Sequence, residues 1–172
     1  QLIVKNTPED HRVVDSEVAY VLTDMLQAVV TEGIGSNARL SNGMPVAGKT
    51  GTTNKSLDAW FVGYTPYYVG ATYIGDDAGR RDSNGNVISR KSIAGGSSSA
   101  AKLWSTVMNK IHKNLTKTDF KVPKNIYFTK INLIDGGKSS SGSNAAFIKG
   151  TGPSRYTSKS TKPSQSQENN NQ

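Results

Sequence analysis

The chain has 172 residues and a formal net charge of +8 at pH 7, a length that suits one domain of ordinary size. It contains no cysteine and two histidines. This excludes a disulfide framework, thiolate catalysis, cysteine-bearing metal sites and a multi-histidine site within the chain. No apolar run reaches the about 20 residues that span a bilayer, so no membrane-spanning segment is expected within it.

Positive charge is concentrated between Lys102 and Lys138, where lysines outnumber acidic residues. A basic surface favours anionic polymers such as nucleic acid, lipid headgroups or wall polymers, although its ordinary effect is solubility. Aromatic residues do not interleave with arginine as a base-stacking platform requires. We therefore predict no nucleic-acid partner.

The first predicted element is a helix that begins at Asp15 or Ser16, either of which can cap it, and that ends at Gly33. Its apolar residues recur at the three- and four-residue spacing of an amphipathic helix. They are Val18, Val21, Leu22, Met25, Leu26 and Val29.

Three strands follow, at residues 45–53, 57–64 and 67–75. The connection Thr65-Pro66 is short enough to force the last two strands into an antiparallel hairpin. Trp60 and Phe61 are adjacent in a strand and face opposite sides, so at least one of them belongs to the core. A loop or small hairpin around Asn84-Gly85 follows the strands.

The second predicted helix covers about residues 98–114. Its apolar face at helical spacing consists of Leu103, Trp104, Val107, Met108 and Ile111. Ser98 or Ser99 is expected to cap this helix, with Lys102 exposed. His112 is expected to be a solvated side chain near its end.

Three predicted segments remain: an extended segment at 125–134, a glycine- and serine-rich loop at 136–144 and a short apolar segment at 145–150. From Thr157 on there is no core-forming residue, a composition that predicts disorder. The predicted fold class is α+β, with an antiparallel sheet covered by helices. The predicted organisation is a folded body at residues 1–156 and a disordered polar tail at 157–172.

The segment GKTGTT at residues 48–53 carries the densest chemistry. Strand alternation places Thr50 and Thr52 on one face and Lys49 and Gly51 on the other. Two hydroxyls two residues apart can cradle a carboxylate, a strand N–H beside them can point at a developing oxyanion, and lysine adds positive potential. For a bare Lys-Thr-Gly triplet, an ordinary threonine-rich strand that ends in a turn is the more common explanation. If the threonines do hold a carboxylate, Thr53 lies on the opposite face by alternation, and Thr53→Val is expected to be nearly silent.

Three segments together resemble the C-terminal half of the transpeptidase domain of class A penicillin-binding proteins. They are GIGSNA at 33–38, PVAGKTGTTN at 45–54 and DAWFVGYTP at 58–66. The K-T-G motif is characteristic of this superfamily of serine enzymes. The similarity extends over roughly residues 9–113 and continues more weakly through FIKGT at 147–151 to about Tyr156, while Ile34 replaces the family's usual threonine.

The family's nucleophile motif S-x-x-K and its S-x-N motif both precede K-T-G, and neither stands there in this chain. S-x-N does not occur, and S-x-x-K occurs only at 99–102, after K-T-G. The interpretation of Ser99 is therefore a helix cap, and the catalytic serine is expected in an upstream half of the same domain. The chain alone is expected to be inactive and, because its sheet lacks upstream strands, marginally stable.

The resemblance implies a bacterial cell-wall synthase with an N-terminal membrane helix and a glycosyltransferase domain, and with this domain on the extracytoplasmic side of the cell membrane. The implied reaction is D,D-transpeptidation of peptidoglycan stem peptides through a serine acyl-enzyme, which β-lactams also form. Thr50 and Thr52 would hold the terminal carboxylate, the Thr52 N–H would be an oxyanion donor, Lys49 would assist proton transfer, and Gly51 would leave the acyl pocket open. No metal or organic cofactor is implied.

Two alternatives remain from the sequence. One is a β-lactamase or D,D-carboxypeptidase of the same superfamily, with water as the acceptor. The other is a non-enzymatic wall-binding module, in which the lysine-rich region contacts anionic polymer. The segment at 58–66 and the long C-terminal extension favour the synthase.

Overall fold

The computed structural model describes residues 11–76 and 79–157. They fall into two compact units, divided between Lys124 and Asn125. The predicted polar tail lies outside the described residues from residue 158 on. Within the described part of the chain, no helix is long and apolar enough to cross a membrane.

The first unit contains two long helices, a three-stranded sheet and a small hairpin. In chain order the elements are α1 (Ser16–Thr31), β1 (Ala47–Thr52), β2 (Asp58–Tyr64), β3 (Val69–Gly75), β4 (Arg80–Arg81), β5 (Val87–Ser89) and α2 (Gly96–Ile111). The sheet has the order β1-β2-β3 with both pairs antiparallel, and β4 pairs with β5 around the predicted Asn84-Gly85 turn. The predicted α+β class and the predicted hairpin are confirmed.

The core of this unit is built around Phe61 of β2 and Trp104 of α2, both almost fully buried. Their rings meet edge to face, with centroids 5.3 Å apart, a favourable aromatic geometry. Glycines in the strands leave room for them, because a Cβ on Gly48 or Gly63 would come within 2.5 or 2.6 Å of the Phe61 ring. As predicted, one of the adjacent aromatics is core, while Trp60 is 44% exposed.

The predicted apolar face of α1 is wrong for much of its length. The buried residues of α1 are Thr23 and Val30, whereas Val18, Leu22 and Met25 are at least half exposed. Thr23 is buried because its hydroxyl bonds the Ala19 carbonyl and lies 2.9 Å from the Tyr64 hydroxyl of β2.

The predicted face of α2 is also only partly right. Its buried residues are Ala100, Ala101, Trp104, Ser105 and Met108, while Leu103, Val107 and Ile111 are nearly half exposed. Alanines let the helix approach the sheet closely, and the packed stripe is therefore centred on small residues plus Trp104. Of the predicted large residues at helical spacing, only Trp104 and Met108 belong to the packed stripe.

Helix α1 starts where it is predicted to start, but without a side-chain cap bond, and the cap of α2 differs from the prediction. Asp15 occupies the N-cap position of α1 without a side-chain cap bond. In α2 the N-cap is Gly95, whose φ of 75° is left-handed and favours glycine. Ser98 and Ser99 lie inside the first turn, and the Ser99 hydroxyl donates to the Ala94 carbonyl at 2.6 Å. The prediction of a serine cap is wrong, and Lys102 is exposed as predicted.

The prediction of a solvated His112 is wrong, because its side chain is 1% exposed. Its Nδ1 lies 2.8 Å from the Met108 carbonyl, which can only accept, so Nδ1 carries the proton. Nε2 then accepts from the Thr65 hydroxyl at 2.8 Å. That hydroxyl oxygen accepts from the N–H groups of Tyr67 and Tyr68, which ties the end of α2 to the β2–β3 turn.

The second unit is a hairpin of β6 (Ile126–Ile131) and β7 (Ser143–Ile148), paired antiparallel. The predicted extended segment is confirmed, and β7 begins within the predicted glycine- and serine-rich loop. Lys138 bridges β6 on one side and Tyr156 on the other. Thr157, the first residue of the predicted tail, donates its N–H to the Lys138 carbonyl at 2.9 Å.

Candidate active site

The candidate site is built on β1, which is an edge strand of the described sheet. Thr53 continues the pairing beyond β1, since its N–H donates to the Asp58 carbonyl at 3.0 Å. Backbone groups alternate between the two sides of a strand, so the N–H of Thr52 points away from β2, toward the free edge. This is the N–H that the sequence predicts as an oxyanion donor.

The two threonines of the motif share a face, as alternation predicts, but they differ in exposure. Thr50 pairs with Phe61 and Thr52 pairs with Ala59, and both of these partners are buried. Thr50 is itself only 8% exposed, whereas Thr52, at the end of the strand, is exposed. The described structure therefore leaves Thr52 exposed and covers most of Thr50.

Lys49 is exposed and folds back along the strand. Its Nζ donates to the Thr50 carbonyl at 3.0 Å and lies 3.4 Å from the Thr50 hydroxyl. By the same alternation the Thr50 carbonyl points to the free edge. The ammonium group thus lies along the edge of β1, a position that alternation of Cβ atoms alone did not predict.

Gly51 lies opposite Trp60 in the sheet register. A Cβ at this position would be 3.3 Å from the Trp60 Cβ, a tight contact on the face opposite the threonines. Close packing against Trp60 therefore explains why a glycine suits position 51. Its role in an acyl pocket stays a prediction.

Asp58, the first residue of β2, is the centre of a polar cluster that sequence reasoning missed. Its carboxylate accepts from Arg90 at 2.5 and 3.3 Å and from the Tyr73 hydroxyl at 2.9 Å. The Thr53 hydroxyl donates to it at 3.1 Å and accepts from the Asp58 N–H at 2.9 Å. The hydrogen bond from Arg90 first, and that from Tyr73 next, lower the pKa of Asp58 to about 2.

This cluster gives Thr53 contacts that strand alternation does not predict, and the near-silence of Thr53→Val stays a prediction. Thr53 makes two side-chain hydrogen bonds and one backbone bond to Asp58. The sequence carries only a weak signal for this pairing, because Arg90 lies 32 residues from Asp58 in the chain and no spacing rule relates the two positions.

Ser99 and Lys102 form the single S-x-x-K of the sequence. The Ser99 hydroxyl donates to a backbone carbonyl, and Lys102 is exposed on α2. Among the described residues, no group of three or more histidine, aspartate and glutamate side chains is placed to hold a metal ion.

Comparison with known proteins gives a consistent family. The penicillin binding protein transpeptidase domain family matches residues 2–95. Penicillin-binding protein 1A of Clostridium acetobutylicum is 32% identical over 91% of this chain and 16% of its own length. That of Aquifex aeolicus is 34% identical over 89% of the chain and 20% of its own length.

A solved structure agrees with these relatives. The crystal structure of penicillin-binding protein 1A from Haemophilus influenzae has a TM-score of 0.63 and 27% identity, over 85% of this chain and 22% of that one. The chain thus spans about a fifth or less of the curated relatives described above. Its α+β fold and its sequence match agree, and the chain belongs to the penicillin-binding protein transpeptidase domain family.

Proposed function

We propose that this chain is the C-terminal part of the transpeptidase domain of a bacterial cell-wall synthase, which cross-links peptidoglycan stem peptides and binds penicillin. The observation that carries the proposal is the edge strand β1, where the exposed Thr52 with its outward N–H shares the free edge with the Lys49 ammonium, which donates to the Thr50 carbonyl. The names of the relatives favour a synthase over a β-lactamase or a wall-binding module.

The proposed reaction is acyl transfer through a serine that the upstream half of the domain supplies. The serine oxygen attacks the carbonyl carbon of the D-alanyl–D-alanine bond, and the terminal D-Ala leaves with a proton on its nitrogen. An amine of a neighbouring stem peptide then attacks the ester, and the serine oxygen recovers its proton as it leaves. In a β-lactam the same attack opens the ring and leaves the serine acylated.

Thr52 has two proposed roles in this chemistry. Its hydroxyl donates to the terminal carboxylate of the stem peptide or of the antibiotic, and its N–H stabilises the oxyanion together with the N–H of the serine. Loss of one oxyanion donor costs about 10²–10³ in rate in a comparable enzyme.

Lys49 and Thr50 support the carboxylate from the free edge. The Lys49 ammonium raises the positive potential there and assists proton transfer to and from the serine. Thr50 is the second proposed carboxylate ligand. Its hydroxyl lies 3.4 Å from the Lys49 Nζ, and the residue is 8% exposed.

The proposed function also implies a location in the cell. The domain acts on the extracytoplasmic side of the bacterial cell membrane, where its substrate is. Attachment to the membrane is assigned to sequence outside this chain.

The test is covalent labelling by a fluorescent penicillin, followed by a denaturing gel. We expect the full-length protein to give a labelled band that unlabelled penicillin prevents, and the chain of residues 1–172 to give none. An unlabelled full-length protein contradicts the proposal. A band from the isolated chain that disappears in Ser99→Ala would assign the nucleophile to α2 and overturn the account of the site.

A further inference from the structure

We propose that Asp58, Arg90 and Tyr73 are positioning residues that hold the C-terminal end of β1 in the geometry that binds the substrate carboxylate. With Thr53 they are called the Asp58 cluster. The inference rests on the proposed function, because it assigns to the cluster an effect on the carboxylate-binding residue Thr52.

The cluster acts on Thr52 through Thr53, the next residue in the chain. Thr53 is held to Asp58 by its N–H, by its hydroxyl as donor and by its hydroxyl as acceptor, at 3.0, 3.1 and 2.9 Å. One peptide unit separates these bonds from the Thr52 side chain. One of the three bonds reaches the Asp58 carboxylate, so the orientation of that carboxylate helps to fix Thr53 and, with it, the end of β1.

The segment after β1 makes such a hold necessary. Lys55 and Ser56 have φ values of 61° and 52°, a left-handed conformation that costs free energy in residues other than glycine. A turn of this kind tends to relax unless its ends are fixed. Asp58 fixes one end through Thr53, and the Ser56 carbonyl accepts from the Ile93 N–H at 2.7 Å.

Arg90, just after β5, and Tyr73 of β3 fix Asp58 in turn. The Arg90 guanidinium bonds both carboxylate oxygens, and its Nε donates to the Asp76 carbonyl just after β3 at 2.9 Å. Tyr73 of β3 donates to the carboxylate, and its ring lies 4.8 Å from that of Trp60. Asp58 and Arg90 are 20% and 25% exposed, so the pair is partly shielded from solvent.

Asp58 is a positioning residue, because it contacts Thr53, Tyr73 and Arg90 and acts on Thr52 only through Thr53. Displacement of a binding group by about 1 Å can cost about 10²-fold in rate. Loss of one hydrogen bond to Asp58 should displace the strand end by less than about 1 Å. We therefore expect the acylation rate with the free carboxylate to fall about three- to tenfold in Arg90→Gln and about twofold in Tyr73→Phe.

The experiment measures second-order acylation rates of the full-length protein with a penicillin and with its carboxylate ester. The ratio of the two rates reports recognition of the carboxylate. We expect Arg90→Gln and Tyr73→Phe to lower this ratio, and Arg90→Lys to recover part of it by keeping one charged donor. Arg80→Gln removes the same charge from an exposed residue of β4, Tyr68→Phe removes a hydroxyl elsewhere, and both controls should keep the ratio.

The outcomes separate this inference from the proposed function. If Thr52→Val lowers the ratio and the variants of Arg90 and Tyr73 do not, the positioning role is wrong and the proposed function stands. If Arg90→Gln slows both ligands equally, the role is structural only and the inference is overturned. A wild-type protein that is not acylated, or that does not prefer the free carboxylate, contradicts the proposed function itself. Should Arg90→Gln fail to fold, Tyr73→Phe, which keeps the ring, decides.

Discussion

The first unit contrasts a closed region and an open one within the same sheet. In the closed region, buried His112 and Thr65 are hydrogen-bonded to each other where the β2–β3 turn meets the end of α2. Glycines in β1 and β2 leave space for the Phe61 ring. At the edge of β1, the hydroxyl and N–H of Thr52 face outward and a lysine lies alongside. We infer that substitutions in the closed region lower the free energy of unfolding, whereas those at the edge lower the rate of acylation by ligands.

The largest expected effect is in the closed region. Trp104→Ala removes a 1% exposed side chain and should lower the free energy of unfolding by about 3–5 kcal/mol. Denaturant unfolding of the variant measures this. Trp60→Ala, at a 44% exposed position, is the matched control and should lose clearly less. Equal losses would remove the distinction between the two regions.

At the edge, Lys49→Met should lower the acylation rate of the full-length protein by about a hundredfold or more, because a side chain that assists proton transfer contributes about 10²–10⁴-fold to a rate. Lys49 is exposed, so the free energy of unfolding should stay close to wild type. Lys102→Met, on the exposed side of α2, serves as the control. A large loss of stability in Lys49→Met would place this lysine with the closed region.

The buried histidine gives a smaller effect. His112→Phe keeps a ring but removes the imidazole bonds to the Thr65 hydroxyl and to the Met108 carbonyl; that carbonyl still accepts from the backbone N–H of residue 112. Stability should fall by about 1–3 kcal/mol. A double-mutant cycle with Thr65→Val checks the pairing, and additive losses would show that the two side chains do not interact.

The smallest effect is a pH dependence at Asp58. Its pKa is lowered from 3.8 to about 2, so its contribution to stability is present above the unfolded value and is lost as pH falls through the folded value. The stability difference between wild type and Asp58→Asn should therefore shrink as the pH falls from about 5 to about 2. Asp15→Asn, where no side-chain cap bond exists, is the comparison variant. A difference that stays constant over this range argues against the Arg90 pairing.

The sequence predicts the elements of this unit well because their signals are local. Helical spacing marks α1 and α2, and the short link Thr65-Pro66 dictates the hairpin of β2 and β3. The choice of helix face is not local. The packed stripe of α2 follows Ala100 and Ala101, because close approach to a glycine-bearing sheet needs small residues.

The candidate site divides in the same way. Alternation within 48–53 predicts that Thr50 and Thr52 share a face, which is how the strand is built. The burial of His112 depends on Thr65, 47 residues earlier, and the hold on Thr53 depends on Arg90, 32 residues from Asp58. Pairings of that separation follow from the fold, and no local pattern in the sequence encodes them.

The central claim is that the open edge of β1 binds a carboxylate, and Thr52→Val tests it most directly. Acylation rates of the full-length protein are measured with a penicillin and with its carboxylate ester. The account predicts a loss of about ten- to a hundredfold with the free carboxylate and little change with the ester. Thr129→Val, a strand threonine of β6, should leave both rates unchanged. A Thr52→Val protein with the wild-type rate toward the free carboxylate would contradict the account.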